Sequence, residues 1–364
     1  MNKQQMAPGP VELSDAVRQA MAQQLYNPDL DPDYVVFYRG MCEKIQQLLH
    51  TQSDCLVLSG EGILGLEAAC ASLIEPGTKV LCLANGVFGA GFVDFVKAYG
   101  GEPVIIEKDY RQAITADEVE VALRQNPDIK VATLVHCDTP SGLLNPLAEI
   151  GPVLKQHGVI SIVDAVASIA GDRVLADEWG LDIVLGGSQK ALSAPPGLTF
   201  MSISAAAWEF MEARREPPKG LYLNLLTWKD SWLKDGSFPY TQPVNDHYAL
   251  DAALDAALAE GGGLYERHRQ VAEFTRDAVQ AAGFKLYPDA NYAASTVTAI
   301  EVPAGVPDAE FRQRLLTQYG WQIAGSYGPL AGKVWRIGHM GTQCQKERVQ
   351  ACLEAIQACL ADFR

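Results

Sequence analysis

No run of apolar residues in this chain approaches the roughly 18 that a bilayer-spanning helix needs. The N-terminal stretch, Met-Asn-Lys-Gln-Gln-Met-Ala-Pro-Gly-Pro, lacks the apolar core of a secretory signal. Basic residues are scarce: 29 Lys and Arg stand against 44 Asp and Glu, a formal net charge of -15. That balance argues against a nucleic-acid partner, which needs a basic face, and against an anionic membrane surface. A cytoplasmic protein is the expectation. The eight cysteines (Cys42, Cys55, Cys70, Cys82, Cys137, Cys344, Cys352 and Cys359) include no CxxC pair. A zinc site therefore has little support, and no metal is expected. Most of these cysteines sit inside apolar strand or helix patterns, so they read as reduced core residues rather than a disulfide framework. Internal repeats are also missing.

What is present is enough apolar material for a large core or two domains: 364 residues, 48% of them hydrophobic. Short β-rich runs alternate with helical patterns from residue 55 onward. The runs are Cys55–Leu58, Lys79–Ala84, Pro103–Glu107, Lys130–His136, Val159–Asp164, Asp182–Leu185 and Leu198–Ile203. Apolar residues at helical spacing lie between most of them, as in Phe92-Val93 with Phe95-Val96, or Ile150 with Val153-Leu154. Such alternation predicts a mostly parallel sheet covered on both faces. Sheets of this kind bind ligands at the carboxyl ends of their strands. The Ala/Leu repeat of residues 248–260 predicts a helix that stops at Gly261-Gly262-Gly263. We place a domain boundary there: a large domain over 1–260, whose N-terminal segment could join the other unit, and a smaller C-terminal α+β domain over 261–364.

The strand ends carry the chemistry. Ser59-Gly60-Glu61-Gly62 follows a strand-like run and opens a helical pattern from Leu64 to Ile74. A glycine turn before a helix is a common phosphate seat, yet an acid stands inside this one. Lys190, in Gly187-Ser188-Gln189-Lys190, follows a buried strand and is a candidate Schiff-base lysine; a solvated loop lysine is the plainer reading. Asp164, after Ser161-Ile162-Val163, is a half-buried acid that needs a cationic partner. A protonated pyridine nitrogen is one, and capping of a following helix is the alternative. Phe88, between Gly86 and Gly89, suits a ring laid flat on another ring, or a place in the core. His136 to Gly142 offers hydroxyls at a strand end. Arg336, flanked by Trp335 and Ile337, wants a carboxylate from protein or substrate. Together these meet the needs of pyridoxal-type transamination. A lysine forms the imine and moves a proton, an aspartate keeps the ring nitrogen charged, and an arginine orients the amino or keto acid.

At these positions the sequence resembles the fold type I, class V aminotransferases, the alanine–glyoxylate and serine–glyoxylate group. The segments GSQKALSAPPG, VDAVAS, NGVFG, AGKVWRIGHMG and the early PGP carry the likeness, which runs over essentially the whole chain. It implies an α/β fold of type I, with a mostly parallel seven-stranded sheet in the large domain and an α+β small domain. It implies that Lys190 is the catalytic lysine, that Asp164 pairs with the ring nitrogen, and that Phe88 stacks. Gln189 and Thr139 would hydrogen-bond the cofactor, beside Glu61, Gly62, Ile63 and Val166. Arg336 would bind the substrate carboxylate, with Gly9 and Tyr327 nearby. Relatives are dimers, or dimers of dimers, with sites at the subunit interface. The matching segment here is Phe238 to Pro243, with Phe238 and Thr241 reaching the neighbour's cofactor.

Three departures bear on that cofactor. Phosphate-binding members have a serine where this chain has Glu61, a polar residue where it has Ile63, and a tyrosine where it has Phe238. Members that take unphosphorylated pyridoxamine as a substrate, and pass its amino group to pyruvate, are similar in Gly60 to Ile74, His136 to Pro146 and Arg336 to Gly341. One arginine of those members is Tyr327 here. Two readings follow: pyridoxal or pyridoxamine bound as a substrate, or pyridoxal 5'-phosphate held on Lys190 in an amino-acid:glyoxylate or amino-acid:pyruvate transaminase. A desulfurase would place a reactive cysteine before the arginine, and none lies between Cys137 and Arg336. A non-catalytic protein of the fold would tolerate loss of the lysine, which is intact.

Overall fold

The computed structural model describes residues 3–363. Each predicted run is a strand: β1 (Asp54–Ser59), β2 (Lys79–Ala84), β3 (Glu102–Glu107), β4 (Val131–Val135), β5 (Ile160–Asp164), β6 (Ile183–Gly187) and β7 (Leu198–Ile203). They form one seven-stranded sheet in the order β1-β7-β6-β5-β4-β2-β3. Strands β4 to β7 are buried along their whole length. Edge strand β3 alternates between exposed and half-buried positions, as an edge open to water on one face should.

Pairing is parallel from β3 through β2, β4 and β5 to β6. Strand β7 runs antiparallel to both of its neighbours, β6 and β1. The reason is the connection. Residues 188–197 leave no room for the crossover helix that a parallel return requires, so the chain turns back directly. That turn carries Lys190. Helices Gly62–Leu73, Val87–Ala98 and Leu147–Gln156 follow β1, β2 and β4, so their N-termini gather near the carboxyl ends of the strands.

The apolar core falls into two large clusters. One runs from Val11 to Leu264 and includes the sheet. The other joins Met6 to residues 271–359, with the Trp335 ring stacked on Phe311 at 4.1 Å between centroids. Here β8 (Val297–Glu301) and β9 (Val334–Gly338) pair antiparallel beneath helices Gly262–Ala281, Asp308–Tyr319 and Lys346–Ala361. The helix read from the Ala/Leu repeat spans Val244–Glu260 and ends at Gly261, whose φ of 54° suits a residue without a Cβ. Gln4–Gln5 pairs with Trp321–Gln322, so the N-terminal segment lies with the second cluster. All eight cysteines are free and buried. Among the described residues, no helix is long and apolar enough to cross a membrane.

Candidate active site

A cavity of about 400 Å³ opens beyond the carboxyl ends of β4, β5 and β6. Glu61, Gly62, Ile63, Phe88, Thr139 and Asp164 line it with Val166, Gln189, Lys190 and Tyr327, and Leu66, Val87, Cys137 and Ala167 fill the rest of the wall. Ten residues singled out from the sequence thus share one space, although they come from six separate segments.

Asp164 ends β5 and is 6% exposed. No helix follows it. Its Oδ1 instead accepts a hydrogen bond from the Val166 amide at 3.0 Å, closing a turn on itself. The helix-capping reading therefore gives way to a buried acid facing the cavity. Burial, reinforced by the like charge of Asp138, pushes its pKa up to about 6. A carboxylate so placed is relieved by a cation at the ring-nitrogen position. Gln189 points to a ligand in the same way: its Oε1 is buried and has no partner among the described residues. These two groups fit a pyridine-type ring.

Lys190 is half-buried, and its Nζ donates to the Pro8 carbonyl at 2.7 Å. Burial and the positive charge of Arg336 lower its pKa, which favours the neutral, nucleophilic amine. Gly9 lies against this side chain rather than in the cavity wall. A Cβ there would come within 2.6 Å of Lys190 Cδ, and its φ of +88° is left-handed. A glycine is therefore required where the N-terminal segment crosses the lysine. Ser193 fastens the other side of the loop. Its amide donates to the Lys190 carbonyl at 2.8 Å, and its Oγ accepts from the Thr342 amide at 3.0 Å. The lysine loop is thereby tied to the segment that follows Arg336.

Arg336, on β9, is 3% exposed. Its Nε donates to the Gly325 carbonyl at 2.6 Å, and its guanidinium lies over the Tyr327 ring, 4.7 Å from the centroid. No carboxylate of the described residues pairs with it, so a buried cation awaits an acid. Arg336 is not itself among the lining residues, but the Tyr327 ring that covers one face of it is. That stacking has no signature in the sequence, because the two residues meet only when β9 pairs with Ala324.

Asp138 was not singled out from the sequence. It is 1% exposed; Oδ1 accepts from the Phe88 amide at 3.0 Å and Oδ2 from Ser141 Oγ at 2.8 Å. The carboxylate sits at the N-terminus of helix Val87–Ala98, where the dipole favours it, although burial raises its pKa. A Cβ on Gly86 would overlap this carboxylate, which explains the glycine before Phe88. Asp138 thus fixes the start of the helix that carries the Phe88 ring. Asp138→Ala is expected to cost roughly 1–2 kcal/mol of stability, the worth of a buried cap; a urea midpoint that does not move would contradict this.

Glu61 precedes helix Gly62–Leu73 at its N-cap position, yet its side chain makes no capping bond. It is exposed at the cavity rim, and its charge is felt by both Lys190 and Asp164. Ile63 beside it is 39% exposed. A Cβ on Gly62 would come within 2.8 Å of Val166 Cγ2, so the turn and the Val166 wall pack directly. Phe238 and Thr241 lie outside this cavity. Phe238 packs among Tyr34, Tyr38 and Trp232 of its own chain, with centroids 5.1 to 5.4 Å away, and Thr241 is exposed.

The family model for aminotransferase class V matches residues 29–325. The chain is 38% identical over 330 residues to pyridoxamine–pyruvate transaminase of Mesorhizobium japonicum, covering 90% of this chain and 84% of that one. Among solved structures it superposes on ureidoglycine–glyoxylate aminotransferase of Bacillus subtilis with a TM-score of 0.96 at 31% identity, covering 100% of this chain and 94% of that one. It superposes on pyridoxamine–pyruvate aminotransferase of Mesorhizobium loti with a TM-score of 0.95 at 35% identity, covering 100% and 93%. A lysine just past a strand, a buried acid facing the cavity and an arginine with no carboxylate partner among the described residues therefore stand on a matching framework, and the chain belongs to the class V aminotransferases of fold type I.

Proposed function

We propose that this aminotransferase moves the amino group of free pyridoxamine to pyruvate, giving pyridoxal and L-alanine. The observation that carries the reading is Glu61. Its carboxylate makes no cap and stands at the rim of the cavity, at a helix N-terminus where phosphate would otherwise sit. An acid there accepts a hydrogen bond from a 5'-hydroxymethyl group and repels a phosphate, which is discrimination by an unfavourable contact. The similarity to pyridoxamine–pyruvate transaminase supports the same reading.

When bound, the pyridine ring supplies an electron sink. The chain's own residues do the rest. Asp164 holds a proton on the ring nitrogen. Phe88 stacks on the ring, and Thr139 and Gln189 donate or accept at its polar substituents. Lys190 Nζ carries the proton between the amino-bearing carbon of the donor and the carbonyl carbon of the acceptor. The two terminal nitrogens of Arg336 bind the acceptor carboxylate, and Gly9, packed against Lys190, is assigned to the same substrate. Thr241 and Phe238, which lie outside their own cavity, are assigned to the site of a second copy in a homodimer or dimer of dimers, on the resemblance of the Phe238 to Pro243 segment to that of the dimeric relatives. The unit over 261–364 is assigned as the small domain.

The test compares two substrate pairs on protein dialysed free of vitamin: pyridoxamine with pyruvate, and alanine with glyoxylate. Pyridoxal and alanine are expected from the first pair without added phosphate ester. Activity that requires pyridoxal 5'-phosphate and ignores free pyridoxamine would assign an amino-acid:glyoxylate or amino-acid:pyruvate transaminase instead.

A further inference from the structure

We propose that Tyr327 sets the acceptor specificity of this site, restricting it to 2-oxo acids with one carboxylate and a short side chain. The inference rests on Arg336 as the acceptor-carboxylate site, assigned above.

Tyr327 is unusual in its placement. It lines the cavity and covers the face of the Arg336 guanidinium at 4.7 Å, yet it is 56% exposed. An aromatic ring held this far out, on a charged group, is a shelf rather than a core residue. The two residues before it are each tied down. Ser326 Oγ donates to the carbonyl of Pro140, the residue after Thr139, at 2.8 Å. The Gly325 carbonyl takes the Nε of Arg336 at 2.6 Å. With Nε engaged and one face covered, the terminal nitrogens are the donors left for an acid, which must lie in the guanidinium plane. The ring then bounds the space into which the acceptor's side chain extends.

Among the described residues that line the cavity, none but Lys190 is cationic, so this chain offers a second carboxylate no partner. Arg312, behind Gly325, is already bound by both oxygens of Asp308 at 2.7 and 2.8 Å. Arg111 is paired with Glu301 at 2.9 Å. Lys190 is the reacting group. Glu61 lines the same cavity, with the apolar Ile63, Leu66 and Val87, and an acid in an apolar wall repels a dicarboxylate. The acceptors that fit are therefore those of the size of glyoxylate and pyruvate.

The experiment measures kcat/KM for pyruvate, 2-oxobutyrate and 2-oxoglutarate in the natural protein, Tyr327→Phe and Tyr327→Ala. Calorimetric binding of oxamate, an isostere of pyruvate, to the ligand-free proteins provides a readout without turnover. The natural protein is expected to prefer pyruvate over 2-oxoglutarate by roughly a hundredfold or more. Tyr327→Phe keeps the ring and should hold oxamate affinity within about threefold. Tyr327→Ala should weaken oxamate by roughly tenfold and raise the 2-oxobutyrate-to-pyruvate ratio by a similar factor. An unchanged acceptor ratio in Tyr327→Ala, or ready use of 2-oxoglutarate by the natural protein, overturns the assignment. If free pyridoxamine proves not to be the donor, the same ratios are read as half-reactions, in single turnovers of each 2-oxo acid on protein loaded with pyridoxamine 5'-phosphate. Failure of the donor reading is thus seen separately from failure of this one.

Discussion

Glu61→Ser is expected to raise the affinity for pyridoxal 5'-phosphate, relative to free pyridoxal, by roughly ten- to a hundredfold. The estimate is electrostatic. Two unit charges about 5 Å apart repel by about 3 kcal/mol at an effective dielectric near 20, and by about 0.8 kcal/mol in water. A phosphate ester carries about -1.5 to -2 charges at neutral pH. Glu61 is exposed at the rim, so solvent and salt screen it and the lower part of that range applies. The helix N-terminus works in the opposite direction. It would welcome an anion, and removal of the acid leaves the amides of Gly62 and Ile63 to do so. Serine also adds a donor that the ester can use. Glu61→Gln separates the two effects, because it removes the charge but keeps an acceptor for a hydroxymethyl group. Most of the gain should appear in Glu61→Gln, and it should shrink as salt is added, since screening already weakens the repulsion in the natural protein. Titrating each variant with the two vitamers, followed by visible absorbance, reads the ratio directly. A ratio that is the same in all three proteins would remove the charge argument, and with it the main support for a vitamin-converting enzyme.

The strands and the ten singled-out residues that share the cavity were legible in the sequence for one shared reason. In a parallel sheet, buried strands are continuous apolar runs, and the residues that follow them fall at one edge of the sheet. Val163-Asp164 and Gly186-Gly187 therefore announced both the strand and the group at its end. The direction of β7 was less visible, since apolar content does not encode direction; only the length of the connection does. Asp138 was missed because its role lies in a partner remote in sequence, the helix that begins after Gly86. The glycine there looked like room for a cofactor ring, whereas it makes room for a carboxylate that braces Phe88. The Tyr327–Arg336 stack was hidden for a similar reason: each residue is marked by its neighbours, but their contact arises from a strand pairing. Phe238 shows the opposite limit, for in one chain it is a member of an aromatic cluster, and its assigned role at a neighbouring site concerns a surface that one chain alone does not complete.

Lys190→Ala is expected to lower transamination by roughly a thousandfold or more, the range lost when a nucleophile that also shuttles the proton is removed. Among the described residues that line the cavity there is no other amine. Arg336 does not line it, and the remaining wall is made of acids, amides, hydroxyls, the Cys137 thiol and apolar groups. The fold should survive, because Lys190 contributes little to it: the side chain is half-buried, carries a desolvation cost, and makes one hydrogen bond, to Pro8. A thermal midpoint close to that of the natural protein is therefore expected and guards against loss of activity by unfolding. Adding pyridoxal should turn the natural protein yellow and leave Lys190→Ala colourless, which reads the covalent step without turnover. Lys190→Arg sharpens the comparison. It preserves a positive charge and a donor for the Pro8 carbonyl, but guanidinium is neither nucleophilic nor able to give up its proton near neutral pH. Both variants should be equally inactive, while small added amines should restore part of the proton transfer only in Lys190→Ala, where a space is left. Turnover retained in either variant would show that the amino group moves by another route, and the assignment of Lys190 would fall.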